Sequence, residues 1–304
     1  MPRKDGIDLP GALMLVLFAM FFALNQVVIK WVNGGLQPVF FAGIRSLGAV
    51  VCVWAWMRMN GRPLRVEPGT VWAGLAIGVA FTAEFLLLFL ALDLTTVVRS
   101  AVLFYSMPVW LALMAHFFLP GERMGGVRVL GLVMAFAGVT WAIANRGDGG
   151  GHGSVLGDLC ALGGAIGWAA TAFLARGSAM VRVRPEMQLF WMVLVSGVVL
   201  TAVSPFFGPL VRDFQPLHWV GLIFQIVMVV TAGFILWLWL LSVYPPSGVA
   251  SFSFLTPVFG IGFGWLLLGE QTGLGVLGAG VLVCVGLILI NRPARQVPPS
   301  GTAA

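Results

Sequence analysis

Two charged residues of opposite sign lie inside long apolar stretches of this sequence. Arg45 is near the middle of one stretch and Glu84 is near the middle of the next. An ionised group at that depth in a bilayer is costly unless it faces a cavity or a partner. Either the two residues brace the structure as an ion pair, or at least one of them handles a substrate or a proton. Glu84 is the candidate proton carrier, although an adjacent guanidinium would keep it ionised.

Other polar side chains in the apolar stretches are candidates for substrate contact. Gln26 and Lys30 share one helix face at i,i+4 spacing, and Asn25 adjoins them. Lys30 has an alternative role, because a lysine near a span end can extend its ammonium to the membrane surface. Gln188 and Gln225 are neutral polar residues within predicted spans, and each either contacts substrate or bridges helices. Deep aromatic residues either pack between helices or stack on a flat substrate or a cation. The candidates of this kind are Tyr105, Trp168 and Trp191.

Two prolines interrupt apolar stretches at corresponding places. Pro108 and Pro257 each remove one backbone hydrogen bond and free the carbonyl four residues earlier, on Phe104 and Ser253. One explanation is a packing kink, which membrane helices tolerate. The other is that the two breaks line a polar cavity and contribute to gating. The polar neighbours favour the second explanation: Tyr105 and Ser106 in one copy, and Ser251, Ser253 and Thr256 in the other.

Cysteine and histidine are too scattered for a metal site. The three cysteines fall within separate apolar stretches, where they are expected to act as small hydrophobic residues. The three histidines lie in separate segments without ligand spacing. These six residues are Cys52, Cys160, Cys284, His116, His152 and His218. We therefore predict neither a metal nor another cofactor.

The elements that position these residues are predicted to be membrane helices. Hydrophobic residues make up 60% of the chain and charged residues only 9%, whereas about a quarter of the residues in a soluble domain are charged. The apolar runs do not alternate with polar positions, which favours helices over a barrel. We predict an all-α membrane protein with ten transmembrane helices. Their ranges are 11–32, 36–57, 71–92, 97–119, 126–144, 155–174, 187–206, 217–242, 247–268 and 274–291.

The ten helices are predicted to form two copies of a five-helix unit. Short matches recur in the same order: Gly11-Ala-Leu13 with Gly157-Asp-Leu159, Gly121-Glu122 with Gly269-Glu270, Val129-Leu130-Gly131 with Val276-Leu277-Gly278, and Asn145-Arg146 with Asn291-Arg292. Because five is odd, the second copy enters the membrane from the opposite side and is inverted. We assign residues 1–146 to the first repeat, 147–292 to the second and 293–304 to a disordered tail. Inverted repeats with paired helix breaks indicate a secondary transporter with its substrate site near the midplane.

The distribution of Lys and Arg predicts that both termini are cytoplasmic. Of the 17 such residues, Arg45 lies within a span, and four fall on the outer side: Lys30, Arg99, Arg146 and Arg212. The remaining twelve fall on the inner side: Arg3, Lys4, Arg58, Arg62, Arg65, Arg123, Arg128, Arg176, Arg182, Arg184, Arg292 and Arg295. This bias explains the net charge of +6, so we infer no nucleic-acid partner. Asp93, Arg99 and Asp158 fall at predicted span ends and are expected to be interfacial.

Helix packing is predicted to depend on glycine. In lipid, helices associate by close backbone approach at small residues. Three pairs put two glycines on one helix face: Gly74 with Gly78, Gly163 with Gly167, and Gly260 with Gly264. These pairs predict tight helix crossings, since a phosphate-binding loop would also require a Lys-Ser/Thr ending.

The order of these motifs resembles the drug/metabolite transporter superfamily, EamA type. The first half carries Asn25-x4-Lys30-Trp31, Phe41-Ala42-Gly43-Ile44-Arg45, Ala91-Leu92, Ser100-Ala101-x6-Pro108, Gly121-Glu122 and Gly131-x6-Gly138. The second half carries Ser247-x2-Ala250, Pro257, Gly269-Glu270 and Gly278. The usual Trp-Gly of the first span is replaced by Phe21-Phe22-Ala23, and Trp168 after Gly167 is its counterpart in the sixth span.

This resemblance implies ten helices in two inverted halves, alternating access, and efflux of amino acids or other small metabolites. The many aromatic residues further suggest the bacterial aromatic amino-acid exporter branch. Arg45 or Lys30 would then bind the substrate carboxylate, and Glu84 or helix carbonyls would bind the ammonium. Both proton coupling and facilitated exchange stay open. The bacterial inner membrane is the expected location.

Related carriers share the features of this sequence, whereas an enzyme or a channel would need features that the predicted spans lack. Carriers of sugar phosphates, nucleotide sugars or drugs have the same fold and stay as alternatives. A membrane-embedded enzyme would need clustered catalytic groups, yet Glu84 is the one deep carboxylate in the predicted spans. A channel would need rings of repeated polar groups. We expect transport without enzymatic activity, with a small-molecule substrate and the lipid bilayer as partners and the oligomeric state open.

Overall fold

The structure, a computed structural model, describes residues 7–119, 124–145, 153–244, 249, 252, 254–271 and 273–291, without the side chains of 238, 241 and 242. Within these ranges the regular structure is helical, apart from one isolated β-bridge between Leu36 and Val211. The α-helices are α1 (Leu9–Asn33), α2 (Pro38–Met59), α3 (Val71–Leu94), α4 (Val97–Phe104), α5 (Met107–Phe118), α6 (Gly126–Ala144), α7 (Val155–Gly177), α8 (Pro185–Val203), α9 (His218–Phe224), α10 (Gly233–Val243), α11 (Leu255–Leu268) and α12 (Leu274–Ile290). The predicted all-helical fold is confirmed.

Eight segments of the described chain are helical, apolar and long enough to cross a membrane. Two shorter apolar helices, α11 and α12, follow them. Each of the ten predicted spans therefore has a helical counterpart. Ten crossings remain a prediction, because α11 and α12 are shorter than the roughly 20 residues that span a hydrocarbon core.

Polar side chains at the helix starts explain several of the boundaries. Asp8 accepts a hydrogen bond from the Gly11 amide at the start of α1, at 3.1 Å. Thr96 accepts from the Arg99 amide at 3.2 Å at the start of α4, and Ser154 accepts from the Gly157 amide at 2.9 Å at the start of α7. Such caps satisfy amides that have no partner within the helix.

The fourth predicted span is interrupted beside Pro108. Helix α4 ends at Phe104 and α5 begins at Met107, so the break lies at Tyr105 and Ser106. Pro108 occupies the first turn of α5, where its missing amide hydrogen leaves no bond unmade. The corresponding Pro257 is buried in the first turn of α11. Ser253, whose carbonyl we expected to be freed, lies outside the described residues.

The eighth predicted span contains a π-helix that the sequence did not indicate. Residues Gln225–Ala232 form this segment between α9 and α10. The Thr231 hydroxyl donates to the Ile226 carbonyl, five residues earlier, at 2.9 Å. π-Helical segments are rare and often mark functional sites.

The two halves of the chain interlock at close helix crossings. Helix α3 packs on α7 and α8, α2 on α8, α1 and α4 on α11, and α6 on α12. A Cβ atom added at Gly167 of α7 would lie 2.9 Å from the Glu84 Cα atom of α3. All three predicted glycine pairs lie at such crossings, with Gly74 and Gly78 facing α8 and Gly260 and Gly264 facing α4. Their predicted role in tight packing is confirmed.

We predict that Gly286→Ala destabilises the protein. The Gly286 Cβ position lies 2.6 Å from the carbonyl oxygen of Gly131, so a methyl group there must push α12 away from α6. Overpacking of this kind typically costs about 1–3 kcal/mol. The midpoint of thermal unfolding in detergent should fall. Gly262→Ala in α11 is the matched control, because no atom lies within 4 Å of that Cβ position. Equal midpoints for the two variants would contradict the prediction.

Candidate functional site

Arg45 is buried in α2 without a hydrogen-bond partner. Arg45 is 1% exposed, and none of its three guanidinium nitrogens forms a hydrogen bond. The guanidinium carbon lies 4.0 Å from the ring centroid of Phe85 and 5.0 Å from that of Phe89, both in α3. Cation–π contact offsets part of the desolvation cost but leaves the N–H donors unsatisfied.

Glu84 is buried in α3 beside these rings. Glu84 is 3% exposed, and its Oε2 atom has no hydrogen-bond partner. Since no nitrogen of Arg45 is hydrogen-bonded, the two charges do not form the bracing pair that was one alternative. Two opposite buried charges therefore lie on neighbouring helices without neutralising each other through direct contact.

Amide side chains of α1 and the π-helix extend this polar region. The Gln225 amide, at the first position of the π-helix, donates to the Asn25 side-chain oxygen. The Gln225 side-chain oxygen and both polar atoms of Gln26 are buried without partners. Sequence analysis left open whether Gln225 contacts substrate or bridges helices, and in the structure it bridges α1 and the eighth predicted span.

These five residues lie at one depth. At about 1.5 Å of rise per residue, Arg45 and Gln225 are each about 10 Å from the starts of α2 and α9, and Gln26 is about 10 Å from the end of α1. Asn25 and Glu84 are about 12–15 Å from the ends of α1 and α3. Contacts of Arg212 with the Asn33 carbonyl and the Asp93 carboxylate show that the ends of α1 and α3 meet. We call Asn25, Gln26, Arg45, Glu84 and Gln225 the polar layer. Unpaired buried polar groups at such a depth are expected around a binding site.

Aromatic candidates surround the polar layer to different extents. Tyr105 lies at the break after α4, and its hydroxyl donates weakly to the Phe22 carbonyl at 3.4 Å. Trp168 is partly buried against the hydrophobic cluster that includes Phe89 and Tyr105. Trp191 packs its ring on Gly74, and its indole nitrogen has no partner. Phe85 and Phe89 were missed, although their i,i+4 spacing after Glu84 is a signal for a shared face.

Several other candidates are engaged in structural contacts. The Lys30 ammonium donates to the carbonyls of Leu92 and Thr95, at 3.2 and 2.6 Å, where a cation suits the C-terminal end of α3. The Gln188 amide donates to the carbonyls of Met180 and Val183. Ser106 donates to the Leu103 carbonyl at 2.6 Å. Thr256 is buried in the first turn of α11, and Ser253 lies outside the described residues.

Arg99 and Asp158 lie near the starts of α4 and α7, as expected, but they are buried and form an ion pair. Their Nη2 and Oδ2 atoms form an ion pair at 2.5 Å, with side chains 8% and 0% exposed. Arg99 also donates to the Ala142 and Asn145 carbonyls at the end of α6, and Thr95 donates to Asp158. Asp93 pairs with Arg212 in a more exposed contact at 2.7 Å. The first pair is buried because it joins the ends of α3, α4, α6 and α7.

The Glu270 carboxylate closes the same end of the bundle. It accepts hydrogen bonds from the amides of Val97 and Val98, at 2.8 and 3.0 Å. These amides begin α4, where an anion is stabilised by the helix dipole. A residue that follows α11 in the second half thereby anchors a helix of the first half.

The sequence profile of the EamA-like transporter family matches residues 9–144 and matches again at residues 155–292. This chain belongs to the EamA-like transporter family. The double match confirms the resemblance drawn from the motifs and shows two EamA repeats. Membership of the aromatic amino-acid exporter branch stays a prediction.

Two bacterial relatives match this EamA protein along nearly their whole length. A Bacillus subtilis (strain 168) protein, "Uncharacterized transporter YvbV", is 29% identical over 93% of this chain and 92% of its own. An Escherichia coli (strain K12) protein, "Probable amino-acid metabolite efflux pump", is 28% identical over 95% of each chain. A crystal structure with 20% identity superposes with a TM-score of 0.65 over 91% of this chain and 94% of the other, which supports the fold.

We predict that Arg99→Gln strongly destabilises this EamA protein. The substitution removes the Arg99 guanidinium from the fully buried Asp158 carboxylate, and breaking a buried pair in this way typically costs about 3–5 kcal/mol. The double variant Arg99→Gln/Asp158→Asn should recover part of that cost. The control is Arg212→Gln, whose more exposed pair with Asp93 is worth about 0–1 kcal/mol. Thermal unfolding in detergent measures all three, and a loss for Arg99→Gln no larger than for Arg212→Gln would contradict the assignment.

Proposed function

We propose that this EamA protein is a secondary transporter that exports amino acids, aromatic ones among them, across the bacterial inner membrane. Its family and its relative named as a probable amino-acid metabolite efflux pump support export of this kind. The observation that carries the proposal is a pair of buried, opposite charges in the polar layer, in which the Arg45 guanidinium and the Glu84 Oε2 atom have no hydrogen-bond partner.

A zwitterion is the substrate that these two charges suit. An amino acid brings one carboxylate and one ammonium on adjacent atoms, so it can satisfy both protein groups together. Arg45 would bind the carboxylate through two parallel N–H donors. Glu84 would accept the ammonium at its unpartnered Oε2 atom. Buried hydrogen-bond donors without partners cost free energy, which favours binding of a ligand whose charges are opposite to those of the protein groups.

The surroundings of Arg45 support aromatic substrates among those exported. Phe85 and Phe89 already present ring faces to the guanidinium, and Trp168 lies in the partly buried shell of the same hydrophobic cluster. An aromatic side chain joining these rings would gain from offset or edge-to-face contacts. Of the remaining candidates, Asn25, Gln26 and Gln225 would adjust to the substrate through their amides.

Transport would proceed by alternating access between the two repeats. In this mechanism ten helices form inverted repeats, residues 1–146 and 147–292, with both termini cytoplasmic. Three places would absorb the changes in shape: the break between α4 and α5 beside Pro108, the helix start at Pro257 and the π-helix from Gln225. The polar layer would face each side of the membrane in turn as one repeat rocks against the other.

Flux in proteoliposomes tests the proposal. We expect saturable uptake of phenylalanine, tryptophan or threonine, but not of a neutral sugar or a cationic drug. Arg45→Gln should reduce that flux by at least about tenfold, as expected for loss of a charge-assisted hydrogen bond. Glu84→Gln should reduce it similarly, because the ammonium loses its partner.

The controls separate recognition from folding. Arg58→Gln lies on the same helix but at its exposed end, and Glu67→Gln lies before α3, so both should keep full flux. An amino-acid amide should compete poorly in wild-type protein, since it lacks the carboxylate that Arg45 would bind. A pH gradient separates proton-coupled export from exchange. Full flux in folded Arg45→Gln and Glu84→Gln proteins, or no amino-acid flux at all, would overturn the proposal.

A further inference from the structure

A cavity outside the polar layer lies between α2, α8 and the segment from the π-helix into α10. It is a narrow groove that is partly open to its surroundings, with a cavity volume of about 10 Å³. Its walls are mainly apolar and are formed by Val53, Trp56, Leu189, Thr231, Phe234 and Ile235. Glu186 contributes the one charged side chain of this lining.

Two arginines lie over this carboxylate at the mouth of the cavity. Arg62 contacts Glu186 at 2.7 Å, and Arg184 approaches it at 3.8 Å. The Glu186 side chain is 4% exposed, whereas those of Arg62 and Arg184 are 45% and 46% exposed. Arg62 also lies over the ring of Trp56, 5.4 Å from its centroid.

The charges at the mouth favour an anion. Two guanidinium groups face one carboxylate, so one positive charge is left over. Glu186 already accepts a hydrogen bond from Arg62, which makes it a poor site for a cationic ligand. Each guanidinium carries five donors in a planar fork, and most of those on the two exposed arginines are not used by Glu186.

The depth of the cavity matches one leaflet of a bilayer. Val53 is about 9 Å from the end of α2, and Ile235 is about 12 Å from the end of α10, at 1.5 Å per residue. Half of a hydrocarbon core is about 15 Å thick. The arginines therefore lie where lipid headgroups are expected, at the end that the charge bias places in the cytoplasm, and the apolar walls lie where acyl chains run.

We propose that this cavity binds an anionic phospholipid. The phosphate would contact Arg62 and Arg184, Trp56 would lie at the headgroup level, and one acyl chain would lie along the open groove beside Val53, Leu189 and Phe234. Basic pockets between membrane helices on the cytoplasmic side suit such headgroups. Because the π-helix supplies Thr231 to the wall, a bound lipid would also contact the segment that begins at Gln225.

Native mass spectrometry of the full-length protein in detergent tests this site. The probes are phosphatidylglycerol, phosphatidylcholine with the same acyl chains, and inorganic phosphate. We expect one phosphatidylglycerol to be retained more tightly than phosphatidylcholine. Arg184→Gln should weaken that binding by about fivefold, the effect of one basic residue near a membrane surface. Thr231→Leu, which fills the groove without changing charge, should weaken it as well.

The matched control is Arg65→Gln, an exposed arginine outside the pair with Glu186, which should bind phosphatidylglycerol as the wild type does. If Arg184→Gln does not fold, Arg62→Gln tests the second phosphate contact, because Glu186 would still face Arg184. Equal retention of both lipids, or unchanged binding by both the arginine and the groove variants, would overturn the proposal. Competition by inorganic phosphate with no effect of Thr231→Leu would show an anion site without a lipid.

Discussion

Backbone contact between α3 and α7 is the constraint on which the polar layer depends. Lipid offers helices little gain from hiding leucine, so they are held together by close approach at small residues. At Gly167 the approach is so close that a Cβ atom would lie 2.9 Å from the Cα atom of Glu84. Glu84 therefore lies directly at the crossing of α3 and α7. Its neighbours Phe85 and Phe89 turn their rings to Arg45 on α2, which fixes the opposite charge at a similar depth.

The buried charges within the described part of the chain fall into two physical groups. Arg99 and Asp158 neutralise each other, and Arg99 also satisfies carbonyls at the end of α6, so their burial is compensated and structural. Arg45 and the Oε2 atom of Glu84 have no such compensation. A fold keeps an uncompensated charge in lipid only where something supplies the missing partner, and in a transporter that partner can be the cargo. Pairing, more than burial, is what separates the two groups.

Part of this arrangement could be predicted from the sequence because it is local. Long apolar runs give the helices, and glycines four residues apart give the crossings of α3, α4, α7, α8 and α11. The cost of Arg45 and Glu84 in lipid follows from their positions alone. Other contacts join residues distant in sequence and leave no local pattern. Lys30 contacts carbonyls at the end of α3, Arg99 pairs with Asp158, and Gln225 donates to Asn25. The π-helix likewise has no signature in the amino-acid sequence, because it depends on how backbone hydrogen bonds shift within an ordinary apolar run.

The two EamA repeats are similar in sequence but unequal in chemistry. Arg45 and Glu84 both belong to the first repeat, whereas the second contributes the Gln225 amide to the polar layer and Gly167 to the crossing at Glu84. In the proposed mechanism the charged ends of an amino acid would stay with the first repeat during transport. The second repeat would then provide neutral and adaptable contacts, and its π-helix lies where the amide meets α1. Rocking such a repeat past a bound zwitterion would leave both ionic contacts with the substrate in place, because both are made by the first repeat.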